Sequence, residues 1–150
     1  MYEYQGYFVR CNTHVGKRAA GGYECELDIV AFHPVTMHII HVEPSMDAHS
    51  WEERERRYRK KFEAGKKYIP QMIPGFKTGT PIEQIAIFGL LKRKSRENLA
   101  GGKIWGISDL LKSIVSELSK LKIAKEAVPE QFPLLRNIQF ICEHSKELFS

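Results

Sequence analysis

The sequence predicts an α/β fold: a mixed β-sheet in which an antiparallel three-strand meander is joined through a crossover helix to a parallel strand, flanked by helices. Three observations point there. Three short segments near the N-terminus are rich in β-branched and aromatic residues and are separated by glycine- or proline-bearing breaks. A long amphipathic segment then leads to Ile85-Ala-Ile-Phe-Gly-Leu-Leu91, a continuous apolar run that fits a strand buried on both faces. Beyond it, apolar residues recur at helical spacing. At 150 residues, with 43% hydrophobic and 27% charged residues, the chain reads as a single domain over 1–150 with one sizeable core.

The first strand is expected over residues 6–15, a stretch dense in aromatic and β-branched side chains. The loop Gly16-Lys-Arg-Ala-Ala-Gly-Gly22 is basic and glycine-rich, and it matches no phosphate-loop pattern. A second strand follows over 24–32 and a third over 39–45, linked by His33-Pro-Val-Thr-Met-His38, whose shortness and proline predict an antiparallel hairpin. Ser50 is a helix N-cap with Glu53 completing a capping box. From there a helix is predicted from Trp51 to about Tyr68, with Trp51, Tyr58, Phe62, Gly65 and Ile69 as its apolar stripe and Pro70 and Pro74 ending it. Thr78-Gly-Thr-Pro81 is turn material. After the apolar strand over 85–91 comes a polar segment over 92–98, then a short strand over 103–107. Ser108 caps a helix with Leu111, Ile114, Val115, Leu118 and Leu121 inward. A last helix is predicted from about Phe132 to Leu148 with Leu134, Leu135, Ile138, Ile141 and Cys142 on one face. The helix after the third strand has the length of a crossover to a parallel neighbour.

No stretch approaches the roughly 20 apolar residues of a membrane span, and the first residues lack the apolar core of a signal peptide. A soluble, cytoplasmic protein with no membrane partner is the expectation. Cys11, Cys25 and Cys142 are odd in number and far apart, which fits reduced thiols rather than a disulfide framework. Neither Cys11 with His14 nor Cys142 with His144 has a second pair at zinc spacing, so no zinc site is expected. The net charge of +5 is concentrated: residues 51–67 hold eight basic side chains against four acidic ones. A local excess of this kind attracts polyanions and steers their approach.

The most informative residues are acids in strands, where acids are depleted. Glu24, Glu26, Asp28, Val30 and Phe32 share one face of the second strand, and Ile39, His41, Glu43 and Ser45 share a face of the third, because side chains alternate with period two. A hairpin centred between Val35 and Thr36 sets Asp28 opposite Glu43, Val30 opposite His41 and Glu26 opposite Ser45. Like charges opposite each other cost roughly 0.2–1 kcal/mol. A divalent cation reverses that sign, since hard cations take carboxylate oxygens. Glu24 reads as solvated, and Trp51 and Tyr58 read as core.

Gly6-Tyr-Phe-Val in the first strand, Glu26-Leu-Asp28-Ile-Val-Ala-Phe32, and His41-Val-Glu43-Pro-Ser45 together resemble the PD-(D/E)XK, or restriction-endonuclease-like, superfamily. The nearest look is of its Holliday-junction-resolvase-like and Mrr-like branches, over residues 1–91. The resemblance implies a restriction-endonuclease-like fold and a metal-dependent nuclease that hydrolyses phosphodiester bonds in DNA, a hydrolase of the endonuclease type. It implies Asp28 and Glu43 as ligands of Mg²⁺ (or Mn²⁺), with the Pro44 carbonyl available, and a homodimer as the form in which resolvase-like relatives often act; Glu26 reads either as an accessory acid or as a charge on an exposed strand end. Ser45 stands where the family carries a lysine, and a serine supplies no cation to the attacking hydroxide or the phosphorane. Three explanations stay open: the cation has migrated to Arg54, Arg57 or Lys61 on the crossover helix or to Lys17 in the glycine-rich loop; metal alone suffices at reduced rate; or the site is a relic. The last gives the alternative, a catalytically inactive nucleic-acid-binding or assembly module. Lys17, Arg54, Arg57, Lys60 and Lys61 are the residues expected to contact nucleic acid.

Overall fold

The computed structural model describes residues 1–77, 79–90 and 96–150. Their contacts divide the chain into two compact units, Tyr2–Ile107 and Ser108–Ser150, Met1 clustering with the second. The first unit holds a six-stranded sheet. Its strands are β1 (Phe8–Lys17), β2 (Tyr23–Phe32), β3 (Ile39–Ser45), β4 (Ile82–Phe88), β5 (Asn98–Leu99) and β6 (Gly102–Gly106), with helix α1 (Trp51–Met72) between β3 and β4. In space the order is β1-β2-β3-β4-β6-β5. The meander β1-β2-β3 is antiparallel, β3-β4-β6 are parallel, and β5 returns antiparallel to β6. The α/β class, the meander and the parallel crossover are as the sequence predicts.

Helix α1 forms where its signals say. Ser50 Oγ accepts from the Glu53 amide at 3.3 Å, an N-cap. The Glu53 carboxylate goes to Arg56 at 2.7 Å, so only the Ser50 half of the predicted capping box appears among the described contacts. Tyr58, Phe62, Gly65 and Ile69 are buried along the predicted stripe, with Ala64 and Arg54 beside them. Fully burying a side chain such as Phe62 or Ile69 stabilises by roughly 1.5–3 kcal/mol. The end differs from expectation: Pro70 lies inside the helix, which runs to Met72. Near a C-terminus a proline costs only one helical bond. The stop comes from Pro74 instead, because the residue before a proline is pushed out of the α region, and Ile73 is extended at φ −109°, ψ 111°.

Strand β3 is the sheet's centre. Ile39, His41 and Glu43 on one face and Ile40 and Val42 on the other are all buried. β4 begins at Ile82, three residues before the predicted start, and ends at Phe88; Leu91, Ser95 and the residues between them lie outside the described residues, as does Thr78 of the predicted turn. Strand β5 was not expected. It closes on β6 through Ala100 and Gly101, both at positive φ (50° and 84°), and a two-residue strand carries too little periodicity to be read from sequence.

From the last residue of the first unit onward, α2 (Ile107–Leu118), α3 (Ile123–Glu126), α4 (Pro133–Glu143) and α5 (Ser145–Leu148) replace the two predicted helices. The helix start at Ile107 shortens the predicted last strand. Ile114 and Leu118 are buried as expected, but Leu111 and Val115 are exposed, as are Leu134 and Ile141 on α4. Helical spacing identifies an apolar stripe wider than the one this unit buries. Gln139 joins Leu135 inside because both ends of its amide are paired, donating to the Glu126 carbonyl at 2.9 Å and accepting from the Val128 amide at 2.8 Å. No helix among the described residues is long and apolar enough to cross a membrane. Cys11, Cys25 and Cys142 are unpaired.

Candidate active site

The β2-β3 ladder runs from Phe32↔Ile39 to Ile29↔Val42 and includes Val30↔His41, the register that the hairpin centre predicts. It stops one step before Asp28 and Glu43. There β3 stays with β4, pairing Glu43 with Ala86, while the Asp28 amide donates to Glu43 Oε1 at 3.1 Å instead of to a strand carbonyl. On the other side of β2 the pairing passes from Cys11↔Ile29 to Thr13↔Leu27, and Asn12, level with Asp28, takes φ 50°. The two acids therefore sit where the sheet opens, not in a closed cross-strand pair.

Lys61 fills the opening. From α1, its Nζ lies 2.7 Å from Asp28 Oδ1 and 2.7 Å from Glu43 Oε2. The neighbouring Phe62 turns inward on the apolar stripe, which brings Lys61 to the helix edge above the acids. The like-charge cost expected for the pair is met by an ammonium shared between them. Behind Glu43, His41 is fully buried, its Nε2 2.7 Å from Glu43 Oε1 and its Nδ1 3.2 Å from Gln84 Nε2. Tyr58 donates its hydroxyl to the Glu43 carbonyl at 3.1 Å.

The two carboxyls differ electrostatically. Burial pushes the Asp28 carboxyl above the usual carboxylate range, with Glu43 adding to the effect and Lys61 opposing it. For Glu43, burial also works against ionisation, but His41, Asp28 and Lys61 outweigh it and hold the group below its usual range. Burial works against the Lys61 charge too; the two carboxylates overcome that and keep its pKa above the ordinary lysine value. The group is thus an ionised Glu43, a less readily ionised Asp28 and a firmly charged Lys61, a set with net negative charge when both acids are ionised.

The acids open on a cleft of about 330 Å³ whose lining includes Glu26, Asp28, Glu43, Pro44, Ser45, Arg57, Lys60 and Lys61. Glu26 is at its edge, paired with His14 at 3.5 Å, and does not reach Ser45 in the ladder as the extended register would have it. Lys60 is exposed at the rim. Lys17 is at the far end of the β1-β2 ladder, opposite Tyr23, and is not among the cleft's lining residues. Arg54 is buried and committed elsewhere: its Nε is 3.1 Å from Asp47 Oδ1, and its guanidinium lies 4.5 Å from the Phe88 ring centroid.

Asp47 is a further acid beside the cleft that the strand pattern over 39–45 does not include. Besides Arg54 it accepts from Ser45 Oγ and from Arg57 at 2.9 Å. Burial opposes its ionisation, and these donors outweigh that and hold its carboxyl low. The signal that could have found it is parity, since Asp47 continues the series His41, Glu43, Ser45 past the strand end. Among the described residues no three His, Cys, Asp or Glu side chains form a metal-holding group. A cation here would rely on the Asp28 and Glu43 carboxylates, a main-chain carbonyl such as that of Pro44, and water. Such an oxygen set suits Mg²⁺, which keeps several waters and takes one or two carboxylates.

No protein-family model, no curated protein and no solved structure matches this chain.

Proposed function

We propose that this protein is a metal-dependent nuclease that hydrolyses phosphodiester bonds in DNA on a restriction-endonuclease-like sheet. The observation that carries the reading is Lys61, whose ammonium lies 2.7 Å from both Asp28 and Glu43. It supplies from α1 the cation that Ser45 lacks, while Lys17 and Arg54 are placed or paired elsewhere. Asp28 and Glu43 would hold Mg²⁺ or Mn²⁺, which when bound polarises the phosphate and lowers the pKa of an attacking water. Lys61 offers N–H donors to the negative charge that grows on the phosphoryl oxygens. Lys60 and Arg57 at the rim attract and orient the phosphate backbone without reading sequence. Glu26 at the cleft's edge is an accessory acid.

The test is Mg²⁺-dependent cleavage of DNA. Asp28→Ala is expected to abolish it while the far-UV spectrum and thermal midpoint stay close to wild type. Unchanged cleavage by that variant sinks the reading.

One observation favours a second reading, an inactive nucleic-acid-binding or assembly module. Lys61 already pairs with both carboxylates, so the acids are partly neutralised without a metal. That reading expects salt-dependent DNA binding in chelator that survives Asp28→Ala and weakens when Arg57 and Lys61 become Ala, with no cleavage in Mg²⁺ or Mn²⁺. Absence of binding at low salt removes it.

A further inference from the structure

His41 is a histidine with no exposed surface in the middle of the central strand, and its three neighbours fix what it does. Gln84 Nε2 lies 2.8 Å from the Phe62 carbonyl oxygen and 3.2 Å from His41 Nδ1. A carbonyl accepts only, so the Gln84 amide must present its nitrogen on this side, and its two hydrogens go to Phe62 O and to His41 Nδ1. With Nδ1 accepting, the ring's hydrogen is on Nε2, 2.7 Å from Glu43 Oε1. Oε1 then takes two donors from the interior, Nε2–H of His41 and the Asp28 amide at 3.1 Å. Oε2 is the oxygen turned to Lys61.

The helix is shaped around this ring. A Cβ at Gly65 would lie 2.3 Å from His41 Nδ1 and 2.6 Å from Cε1, so only glycine lets α1 pass. A glycine within a helix costs about 1 kcal/mol relative to alanine. Stability alone does not ask for this arrangement, since buried polar networks replaced by well-packed apolar groups are often no less stable. What an apolar residue could not do is fix which carboxylate oxygen faces the cleft.

We infer that His41 is a positioning residue: its buried Nε2–H, oriented by Gln84 and admitted by Gly65, locks Oε1 of Glu43 so that Oε2 is the oxygen presented to a cation in the cleft. The cation part rests on the metal-site reading above; the locking part does not. Outer partners of this type typically change metal affinity by about 10- to 100-fold.

Two substitutions separate the donor from the packing. His41→Gln keeps an N–H at the Nε2 position, and His41→Met keeps the bulk without it. Mn²⁺ binding by calorimetry is expected to weaken at least about tenfold in His41→Met and to stay within about threefold of wild type in His41→Gln. In metal-free protein, amide exchange at Asp28 is expected to quicken in His41→Met only, with Val30 and Ala31 unchanged. Equal Mn²⁺ affinity and equal Asp28 exchange in His41→Met and wild type overturn the inference, as does His41→Gln falling as far as His41→Met. Wild type that takes up no Mn²⁺ defeats the nuclease reading, and Asp28 exchange then decides the locking alone. Should His41→Met not fold, Gln84→Leu, which leaves the ring but releases its tautomer, is read by the same Asp28 exchange: quickened exchange supports the lock and unchanged exchange overturns it.

Discussion

Helix α1 sends cations to acids at several places, and two of these, at Asp47 and at Asp28 with Glu43, are built in opposite proportions. At Asp47, two arginines and a serine hydroxyl close around one carboxylate, so the cluster is cation-rich and its acid is saturated. At Asp28 and Glu43, one lysine serves two carboxylates. The first is a strut between the end of β3 and the helix; the second has negative charge to spare and opens on a cleft. A count of basic residues along the helix does not distinguish them. The basic excess of 51–67 is an attribute of the sequence, whereas the charge available to a ligand is what remains after pairing.

The sharpest break between the clusters is expected from Lys61→Met. If the lysine is the cation of the reaction, single-turnover cleavage falls by about 10²- to 10³-fold, the range for losing one donor to developing oxyanion charge. A loss below about threefold in the same measurement would make Lys61 structural, like the buried Arg54. Arg54→Ala should act on stability instead. It strips a buried charge from Asp47 and the stacking over Phe88, and about 3 kcal/mol is expected in denaturant unfolding.

The two carboxyls should part company with pH. The Glu43 value in the fold lies below the unfolded one, so its contribution to stability is present above the unfolded carboxylate pKa, about 4.3, and is lost as pH falls through the folded value. The Asp28 value lies above the unfolded one, about 3.9, so its contribution is present below that and is lost as pH rises through the folded value. Thermal midpoints of metal-free Glu43→Gln should therefore fall below wild type at pH 7 and approach it near pH 3. Those of Asp28→Asn should exceed wild type at pH 7 and converge near pH 3. The smallest effect belongs to Lys60→Ala at the rim. DNA affinity should weaken uniformly across sequences with the salt slope reduced by about one, and unfolding should change by no more than about 0.5 kcal/mol.

Much of this site was legible. Period-two alternation and a short proline-bearing turn suggest a hairpin centred between Val35 and Thr36, and the β2-β3 ladder has that register; a one-residue slip would put Asp28 and Glu43 on opposite faces. The same logic set Asp28 and Glu43 at one level, but it could not show the ladder opening there. That depends on β4 holding β3 and on Asn12 leaving the β1 ladder, both long-range facts. Lys61 was one of four candidate cations; choosing among them requires the rotation of α1 over the sheet, which Phe62 and Gly65 set through contacts with Gly102 and His41. Leu111 and Val115 were misread because helical periodicity says which residues share a face, not whether anything covers it.

The Asp28 amide, tied to a Glu43 side-chain oxygen, has a mechanical consequence. Along the paired strands, backbone is held by backbone through the ladders. Here one strand is tethered to the rotamer of a residue on the next. Whatever re-aims Glu43, whether an arriving ion or a changed partner behind it, pulls on the main chain of β2 and carries Asp28 along. The two acids are geared together through the Asp28 amide and Glu43 Oε1.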